Sequence, residues 1–427
     1  MRPEGCKVAF GIPDLKLMNQ LLRLNLFALL LVAVFDPADQ VTHLKIPLFV
    51  CLWIVFLVDL FFSDGTIPPI GGSLLVYIFL FALFLPLTSI LSYFLQGGHA
   101  GPYDGFQYFK SFLFLALAAL LVGKKADAIR LLSIVLTLLS IATIGMMILI
   151  YNDPGLISPL WLAGDASGTF AIGERAYADL SYSYVYFHTA PLLVLSVAYF
   201  TYQTVRSESR ARYLNVTLVV VNLVAMLCSG TRNDIIFGLL IPPAVFLWYS
   251  GKNWRFTALA VVLVGAAIAG IYGGDVIRAM FDPENESNAI KLAHLRDYSV
   301  LFSNPRTLLF GQGLGSYFYS SAFGTETSIT ELTYLEFIRN FGLIIAMIYY
   351  GMLLYPIRKL RNGLFREIHY LILAYIAYLI ICISNPLLVS SSGMLVLAIV
   401  LSKVFPAAES GFDMIRHAAS SPPHPAS

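Results

Sequence analysis

The run IRLLSIVLTLLSIATIGMMILIY, residues 129–151, decides the fold class of this chain. It is apolar apart from Arg130 and a few hydroxyl groups, and it exceeds the roughly 20 residues that a helix needs to cross a bilayer. Similar runs recur along all 427 residues, and only 12% of the residues are charged. Soluble domains carry roughly 25%. The sequence therefore predicts an all-α integral membrane protein, with residues 1–427 forming a single polytopic membrane domain.

Counting the apolar runs by length predicts about twelve transmembrane helices. The runs are residues 19–35, 46–62, 71–95, 108–122, 129–151, 181–202, 214–228, 234–249, 256–272, 334–355, 370–384 and 393–405. The first run follows Arg2, Lys7 and Lys16 and shows no small-residue cleavage pattern. We therefore expect it to be a retained helix rather than a removed signal peptide.

The short connections between these runs alternate in charge and so predict the orientation. Basic residues concentrate in the connections at 124–130, 206–212, 252–255 and 358–366. Because basic loops remain in the cytoplasm, we expect these connections and both termini there. Three stretches then become outer segments: residues 152–180, the short turn 229–233, and the large loop 273–333 with short helices before the tenth span. The proline-rich stretch 406–427 predicts a disordered cytoplasmic tail.

Four arginines in the outer segments are candidate ligands for an anion: Arg175, Arg232, Arg296 and Arg339. The planar fork of arginine binds phosphate oxygens through paired hydrogen bonds. Two or three converging arginines would hold a pyrophosphate group and stabilise its charge as a bond to it breaks. Structural alternatives remain open: an interfacial anchor for Arg175, and an ion pair with Asp234 for Arg232.

The stretch 296–342 supplies the remaining candidates. Gly311 and Gly313 would allow close approach of the backbone to a ligand and could form an anion-binding nest. Glu331 is a carboxylate that could take a proton from an attacking hydroxyl, and Tyr334 is a candidate substrate contact. We expect no metal and no cofactor, since the outer loops lack a cluster of carboxylate ligands and the four cysteines lack zinc spacing.

Three motifs occur in a fixed order along the second half of the chain. They are SGTR at residues 229–232, FGQGLGSY at 310–317 (preceded by Arg296 and Pro305), and ELTYLEFIRNFG at 331–342. In sequence, order and placement they resemble the signatures of the O-antigen polymerase and ligase superfamily of membrane glycosyltransferases. The plan of about twelve spans with a large outer loop before the tenth is also similar to that superfamily.

The resemblance implies an enzyme that polymerises undecaprenyl-pyrophosphate-linked oligosaccharides (O-antigen or another surface polysaccharide). It would act in the bacterial cytoplasmic (inner) membrane, with its site facing the periplasm. The implied catalytic residues are Arg232, Arg296 and Glu331. The implied substrate-binding residues are Arg175, Arg339, Gly311, Gly313 and Tyr334. The expected partners are the lipid-linked substrates, the lipid bilayer and a chain-length regulator protein, with no nucleic acid.

Two other functions are weighed against the polymerase. Ligases of the superfamily, which transfer glycan to lipid A–core, usually have histidine where this chain has Glu331, so the carboxylate favours a polymerase. A secondary transporter or lipid flippase is an alternative of another class. It is disfavoured because ionisable residues are scarce inside the predicted spans, and Asp59, Lys110 and His188 lie near the ends of theirs.

Overall fold

The computed structural model describes residues 15–62, 70–95, 109–124, 127–177, 180–249, 282–283, 285–360 and 366–405. The predicted span at 256–272 and the predicted tail at 406–427 lie outside the described residues. Within the described part, five helices are long and apolar enough to cross a membrane: Leu17–Phe35, Gly72–Leu91, Ala128–Asn152, Arg210–Cys228 and Thr333–Arg358. The total of about twelve spans stays a prediction.

Helices dominate the described part, with two small hairpins between them. The helices are α1 Leu15–Phe35, α2 Lys45–Phe62, α3 Gly72–Ile78, α4 Leu85–Leu95, α5 Leu117–Lys124, α6 Ala128–Asn152, α7 Ile157–Ser167, α8 Leu193–Arg206, α9 Ser209–Cys228, α10 Arg232–Tyr249, α11 Glu286–Leu301, α12 Pro305–Phe310, α13 Thr333–Leu360, α14 His369–Ile381 and α15 Ser391–Val404. A π-helical segment, Phe79–Phe84, joins α3 to α4. The strands pair antiparallel: β1 Phe170–Tyr177 with β2 Leu180–Phe187, and β3 Phe318–Ser320 with β4 Thr325–Thr327.

The surface of α9 shows why the bundle belongs in a membrane. Beyond its first turns most of its exposed side chains are apolar, with Leu214 at 60% and Val220 at 51% exposure, whereas Asn222 is fully buried. This arrangement is the reverse of a surface helix in a soluble protein, which turns its apolar side to the core. Lipid is the solvent that favours an apolar exterior around polar interior groups. The chain is thus an α-helical membrane protein.

Asn222 lies where α6, α8 and α9 meet, and its amide is fully hydrogen-bonded. Its Oδ1 accepts from Ser140 Oγ at 3.0 Å and from Ser196 Oγ at 2.6 Å. Its Nδ2 donates to Thr137 Oγ1 at 3.1 Å and to Leu218 O at 2.7 Å. Side-chain bonds of this kind join helices where lipid offers no competing partner. The cluster therefore fixes the packing of three helices.

Replacing Asn222 by leucine is expected to lower the free energy of unfolding by about 2 kcal/mol, because four hydrogen bonds of roughly 0.6 kcal/mol each are lost. The Thr137 hydroxyl donates to a main-chain carbonyl, and those of Ser140 and Ser196 each have a main-chain carbonyl within reach, so all three stay paired. Denaturant unfolding in micelles measures the change. The matched control is Thr217→Val, at an exposed position of the same helix. Equal losses in the two variants would contradict the role of the cluster.

The connections of the bundle gather at two ends. At one, the basic end, ion pairs join them: Lys124–Asp59, Arg206–Glu367 and Lys403–Asp127. At the other, the loop end, Asn385 Nδ2 donates to Tyr186 OH at 2.6 Å and Tyr182 OH donates to Gly230 O at 3.3 Å. These contacts join the described connections into two groups, and the topology predicted from the alternation of charge stays a prediction.

The predicted span at 181–202 is wrong at its beginning. Leu180–Phe187 form strand β2, and α8 begins only at Leu193, after the 3-10 turn Ala190–Leu192. The run SYSYVYF at 181–187 alternates small polar residues with aromatic or β-branched ones, which is typical of a strand. His188 consequently lies in the turn after β2, outside the spans.

Helix α13 is broken at Gly342, which has φ 77° and ψ 159°. A Cβ at this position would overlap Leu309 O, so glycine is required both by the backbone conformation and by contact with α12. The break frees main-chain carbonyls inside an apolar helix, where each needs a partner. Gln312 N donates to Arg339 O at 2.6 Å, and Gly313 N donates to Asn340 O at 3.2 Å. The loop after α12 thus caps the broken helix.

Candidate functional site

A cavity of about 280 Å³ lies at the loop end, where the α9–α10 turn, α11, the start of α13 and the end of α14 meet. We call it the arginine cavity. Its lining residues are Tyr186, Thr231, Arg232, Asn233, Asp234, Ser287, Asn288, Lys291, Glu331, Ile381, Ser384 and Asn385. Two cations and two carboxylates are among them, so the cavity is strongly polar at the end of an otherwise apolar bundle.

Arg232 is the first residue of α10, and the turn before it sets its direction. Gly230 reverses the chain with φ 64°, and a Cβ there would lie only 2.8 Å from Tyr184 Cβ. Glycine meets both constraints. The Arg232 guanidinium donates to Asn285 Oδ1 and to Asn288 Oδ1, both at 2.8 Å. Arg232 therefore ties α10 to the beginning of α11 while it lines the cavity.

Lys291 and Glu331 form an ion pair in the same cavity. Lys291 Nζ lies 3.4 Å from Glu331 Oε2, and the two side chains are 28% and 47% exposed. An ion pair this exposed contributes at most about 1 kcal/mol. An incoming anion can therefore replace Glu331 at Lys291 at little cost. Ser287 Oγ, which accepts from Lys291 Nζ at 3.1 Å, keeps the ammonium group at the cavity wall.

Neutral side chains form another part of the cavity wall. Asn385 Nδ2 donates to Tyr186 OH at 2.6 Å, and Asn233 Nδ2 donates to Ser384 Oγ at 3.0 Å. Burial, reinforced by the nearby Asp234 carboxylate, raises the pKa of Tyr186. The phenol therefore keeps its proton at neutral pH, and this hydroxyl can donate to a ligand oxygen.

The structure brings Arg232 and Glu331 into one cavity, but Arg296 lies outside it. Arg296 is exposed. It follows Lys291 by five positions, which places it about 140° further around α11. The predicted convergence is therefore not found for Arg296. Arg175 pairs through its main chain with Tyr182 in the β1–β2 hairpin, and the role predicted for its side chain falls outside what the structure describes.

Arg339 is fully buried, and protein oxygens take up its whole guanidinium. Nε donates to Glu336 Oε2 at 3.2 Å, Nη1 to Ser316 O and Oγ at 2.7 Å each, and Nη2 to Ser328 O at 2.7 Å and to Glu336 Oε1. The group also lies over the Phe318 ring, 5.0 Å from its centroid. All five N–H groups have acceptors. The predicted pyrophosphate contact is therefore corrected: these residues form a clasp, the Arg339 clasp, that joins the preceding connection to α13.

The other predicted substrate contacts also serve packing. A Cβ at Gly311 would lie 2.5 Å from Gly342 N, so the first glycine permits contact between two stretches of backbone rather than with a ligand. The Gly313 amide donates to a carbonyl of α13 and is not available for an anion nest. Tyr334 OH donates to Leu379 O at 2.9 Å and lines no part of the arginine cavity. These three predictions are corrected in the same way.

His294 lies between α11 and β3, with Nε2 3.0 Å from Ser320 Oγ and the ring against Phe323. Burial lowers its pKa from 6.5, partly offset by nearby carboxylates, Asp297 foremost. The unfolded state therefore binds this proton first, so stability is lost as the pH falls below 6.5.

The loss predicts a lower melting temperature at about pH 5.5 than at about pH 7.5, and a smaller difference in His294→Gln, whose amide does not titrate. Thermal unfolding at both pH values measures the difference. A pH dependence that is the same in the variant would show that His294 does not contribute.

The sequence analysis did not identify four residues that line this cavity, Lys291, Asn288, Tyr186 and Asn385, nor Asn285, which accepts a hydrogen bond from Arg232. One signal existed for Lys291, which lies between the apolar residues Ile290 and Leu292 in a stretch with the apolar spacing of a helix. A charge at such a position is retained only if it has a use. The asparagines gave no comparable signal, because amides are ordinary residues near helix ends and turns.

Within the ranges that the structure describes, no group of three or more His, Cys, Asp or Glu side chains is arranged to hold a metal ion. The fold and the cavity together define an α-helical membrane protein with a charged cavity at one end of its bundle. No protein-family model matches the chain, and no curated protein matches its sequence.

Proposed function

We propose that this protein is a glycosyltransferase of the bacterial cytoplasmic membrane that polymerises undecaprenyl-pyrophosphate-linked oligosaccharide repeats. One observation carries the proposal: Arg232, Lys291 and Glu331 come from three separate segments and line one cavity. The two cations suit a pyrophosphate, and the carboxylate suits the uptake of a proton. The order of motifs in the sequence supports the same reaction class.

In this reaction the donor's pyrophosphate would occupy the arginine cavity. Arg232 binds its oxygens through the guanidinium fork, and Lys291 exchanges Glu331 for a phosphate oxygen. As the bond between the anomeric carbon and the pyrophosphate oxygen breaks, negative charge grows on that oxygen. The two cations stabilise this charge, which is the main contribution that fixed charges make to catalysis.

Glu331 then completes the proton balance. Once a phosphate has replaced it at Lys291, its carboxylate is free to accept the proton of the acceptor sugar's hydroxyl. The hydroxyl oxygen forms the new glycosidic bond to the anomeric carbon, and undecaprenyl pyrophosphate leaves. The Tyr186 hydroxyl, which keeps its proton, is placed to donate to the leaving group from the cavity wall.

Orientation follows from charge. Basic connections remain in the cytoplasm, so the basic end would face inward and the loop end with its cavity would face the periplasm. A site at the outer face matches substrates that are exposed there after the lipid carrier has crossed the membrane. The lipid bilayer and a chain-length regulator protein remain the proposed partners.

The polymerase is favoured over a ligase because no histidine is among the described residues that line the arginine cavity. Glu331 holds the place of the ligase histidine, and His294 is buried under Phe323 instead. The transporter or flippase alternative gains no support from the interior, since the Asn222 cluster is neutral and Asp59 is paired with Lys124.

Reconstitution tests the proposal directly. The purified protein in nanodiscs receives undecaprenyl-pyrophosphate-linked repeats as the only glycan, and the products are resolved by size. A ladder of lengthening glycans is expected, with Glu331→Gln as the matched inactive variant. A product that forms only after lipid A–core is added would assign a ligase. No glycan product under either condition would overturn the proposal.

A further inference from the structure

A second and larger cavity lies at the loop end. Its volume is about 410 Å³, and it is bounded by the α1–α2 connection, α13 and the connection before α15. Lys45 and Lys110 both line it, so we call it the lysine cavity. The proposed function assigns no role to this cavity, although the reaction needs a place for two large substrates.

The two cavities share one wall. Thr330 and Thr333 line the lysine cavity, whereas Glu331 lines the arginine cavity. In the connection between α14 and α15, neighbouring residues likewise line different cavities: Asn385 lines the arginine cavity and Pro386 lines the lysine cavity. Thr333 Oγ1 donates to Asn385 O at 2.7 Å and holds the two layers of the wall together. The cavities therefore lie back to back, and Glu331 belongs to the wall between them.

The lysine cavity brings two ammonium groups to one wall without a direct carboxylate partner among the described residues. Lys45 Nζ is buried and donates to Pro37 O at 2.5 Å and to Ser391 Oγ at 3.0 Å, which are both neutral acceptors. Lys110 is exposed at the cavity. No carboxylate of the described residues forms an ion pair with either ammonium group, although the Asp39 carboxylate is near enough to interact with Lys45.

The remaining carboxylates at this cavity are already engaged. Asp39 Oδ1 accepts from the Lys45 main-chain N–H at 3.1 Å, and Asp36 accepts from three main-chain amides and the Thr42 hydroxyl. Glu336 is paired with Arg339. Asp36 and Asp39 both lie near enough to interact with Lys45, but within the described residues neither lysine Nζ donates a hydrogen bond to a carboxylate. A buried ammonium group in this position favours an anion as the missing partner.

We propose that the lysine cavity binds the phosphate-bearing headgroup of the second lipid-linked substrate, the acceptor. This inference rests on the proposed function, because that reaction brings two lipid-linked pyrophosphates to one protein. The arginine cavity holds the pyrophosphate that leaves, and the lysine cavity holds the pyrophosphate that stays attached to the growing chain. Lysine suits this task, since a point charge binds phosphate without the fork that stabilises a leaving group.

The shared wall gives the two sites their direction of transfer. An acceptor anchored by its pyrophosphate on the Thr330 side extends its sugars past the wall toward the donor. Glu331 stands on that wall, so the acceptor hydroxyl meets the carboxylate on its way to the anomeric carbon. The arrangement explains why a single carboxylate on the wall serves both substrates.

The test counts bound lipid and then measures transfer. Undecaprenyl pyrophosphate without sugar is titrated into the full chain in phosphatidylcholine nanodiscs, and native mass spectrometry gives the number bound. Two per chain are expected for the wild type and one for Lys110→Gln. In the transfer assay, Lys110→Gln should raise KM for the acceptor by roughly tenfold, the loss of one hydrogen bond from a charged donor, with little change in KM for the donor.

Controls separate charge from folding. Arg306→Gln removes an exposed cation at the same end that lines neither cavity, and it should leave two bound lipids. Lys45→Gln repeats the test at the buried ammonium, and its melting temperature shows whether the fold is retained. Nanodiscs with added phosphatidylglycerol, and titration with inorganic pyrophosphate, show whether the site takes any phosphate group.

The outcomes are distinguishable. If no glycan transfer occurs but two lipids bind and Lys110→Gln removes one, the proposed function fails and the phosphate site stands. If transfer occurs and both lysine variants keep two lipids and an unchanged acceptor KM, the inference fails alone. A wild type that binds one lipid would also overturn it. So would full displacement by phosphatidylglycerol, which would mark a general phospholipid site.

Discussion

Replacing Arg232 by lysine is expected to lower the rate of glycan transfer by about 10²–10³-fold, the effect of removing one fixed donor to a developing negative charge. Lysine keeps the positive charge but not the two parallel N–H groups that fit phosphate oxygens. The effect should appear in kcat, because the leaving group carries most of its charge in the transition state. Initial rates with lipid-linked repeats, measured over a range of donor concentration, give kcat and KM separately.

The same substitution removes two hydrogen bonds that Arg232 makes to the protein, so stability has to be controlled. Asn285→Ala with Asn288→Ala deletes those acceptors and leaves the guanidinium in place. If Arg232 only anchors α11, this double variant and Arg232→Lys should lose activity equally. We expect the double variant to keep most of its activity. Arg296→Lys adds a second comparison: the sequence motif predicts a loss there, whereas the exposed position predicts none.

Replacing Arg339 by methionine is expected to lower the free energy of unfolding by about 3–5 kcal/mol, the effect of removing one partner of a buried ion pair. The change leaves the Glu336 carboxylate buried without its cation and leaves Ser316 O and Ser328 O without their donor. Denaturant unfolding in micelles measures the loss. Limited proteolysis of the connection before α13 reports whether the Arg339 clasp opens locally.

A second substitution separates the buried charge from the other bonds of the clasp. Adding Glu336→Gln to Arg339→Met removes the orphaned charge, so the double variant should be more stable than the single one. Arg306→Met, at an exposed position, should change stability by no more than about 0.5 kcal/mol. If Arg339→Met lost transfer activity but unfolded like the wild type, the clasp would be refuted and a ligand contact restored.

The candidate site could be predicted only in part from the sequence. Arg232 and Glu331 stand out because they carry charge next to apolar runs, and a charge at such a position is costly unless it is used. The same reasoning predicts a ligand contact for Arg339, which is equally unusual in sequence. In the structure, however, oxygens of the protein accept all of its hydrogen bonds. A sequence shows that a charge requires a partner but not whether the partner is a ligand or the protein itself.

Two local sequence patterns, at residues 181–187 and at 311–313, contain information about the fold that hydrophobic length does not. The alternation in SYSYVYF at residues 181–187 predicts a strand, yet hydrophobic length alone extends the next span across it. The glycines at 311 and 313 predict close approach of the backbone to a ligand. Gly311 approaches the broken helix α13 and Gly313 approaches Tyr93 of α4, and nothing in the spacing of the glycines distinguishes such contacts from contact with a ligand.

The sequence by itself determined that this is a helical membrane protein, since apolar length and scarce charge act locally and need no knowledge of neighbours. The alternation of charge along the chain also predicts which connections share an end of the bundle. Only the tertiary structure decided which charges meet. Lys291 lies beside Arg232 and Glu331 because α11 packs near the starts of α10 and α13. Arg339 is not available to a ligand because the loop around Ser316 packs on it and accepts its hydrogen bonds. Whether charged side chains from distant segments meet depends on how the helices pack, and the pattern within one segment carries no information about that packing.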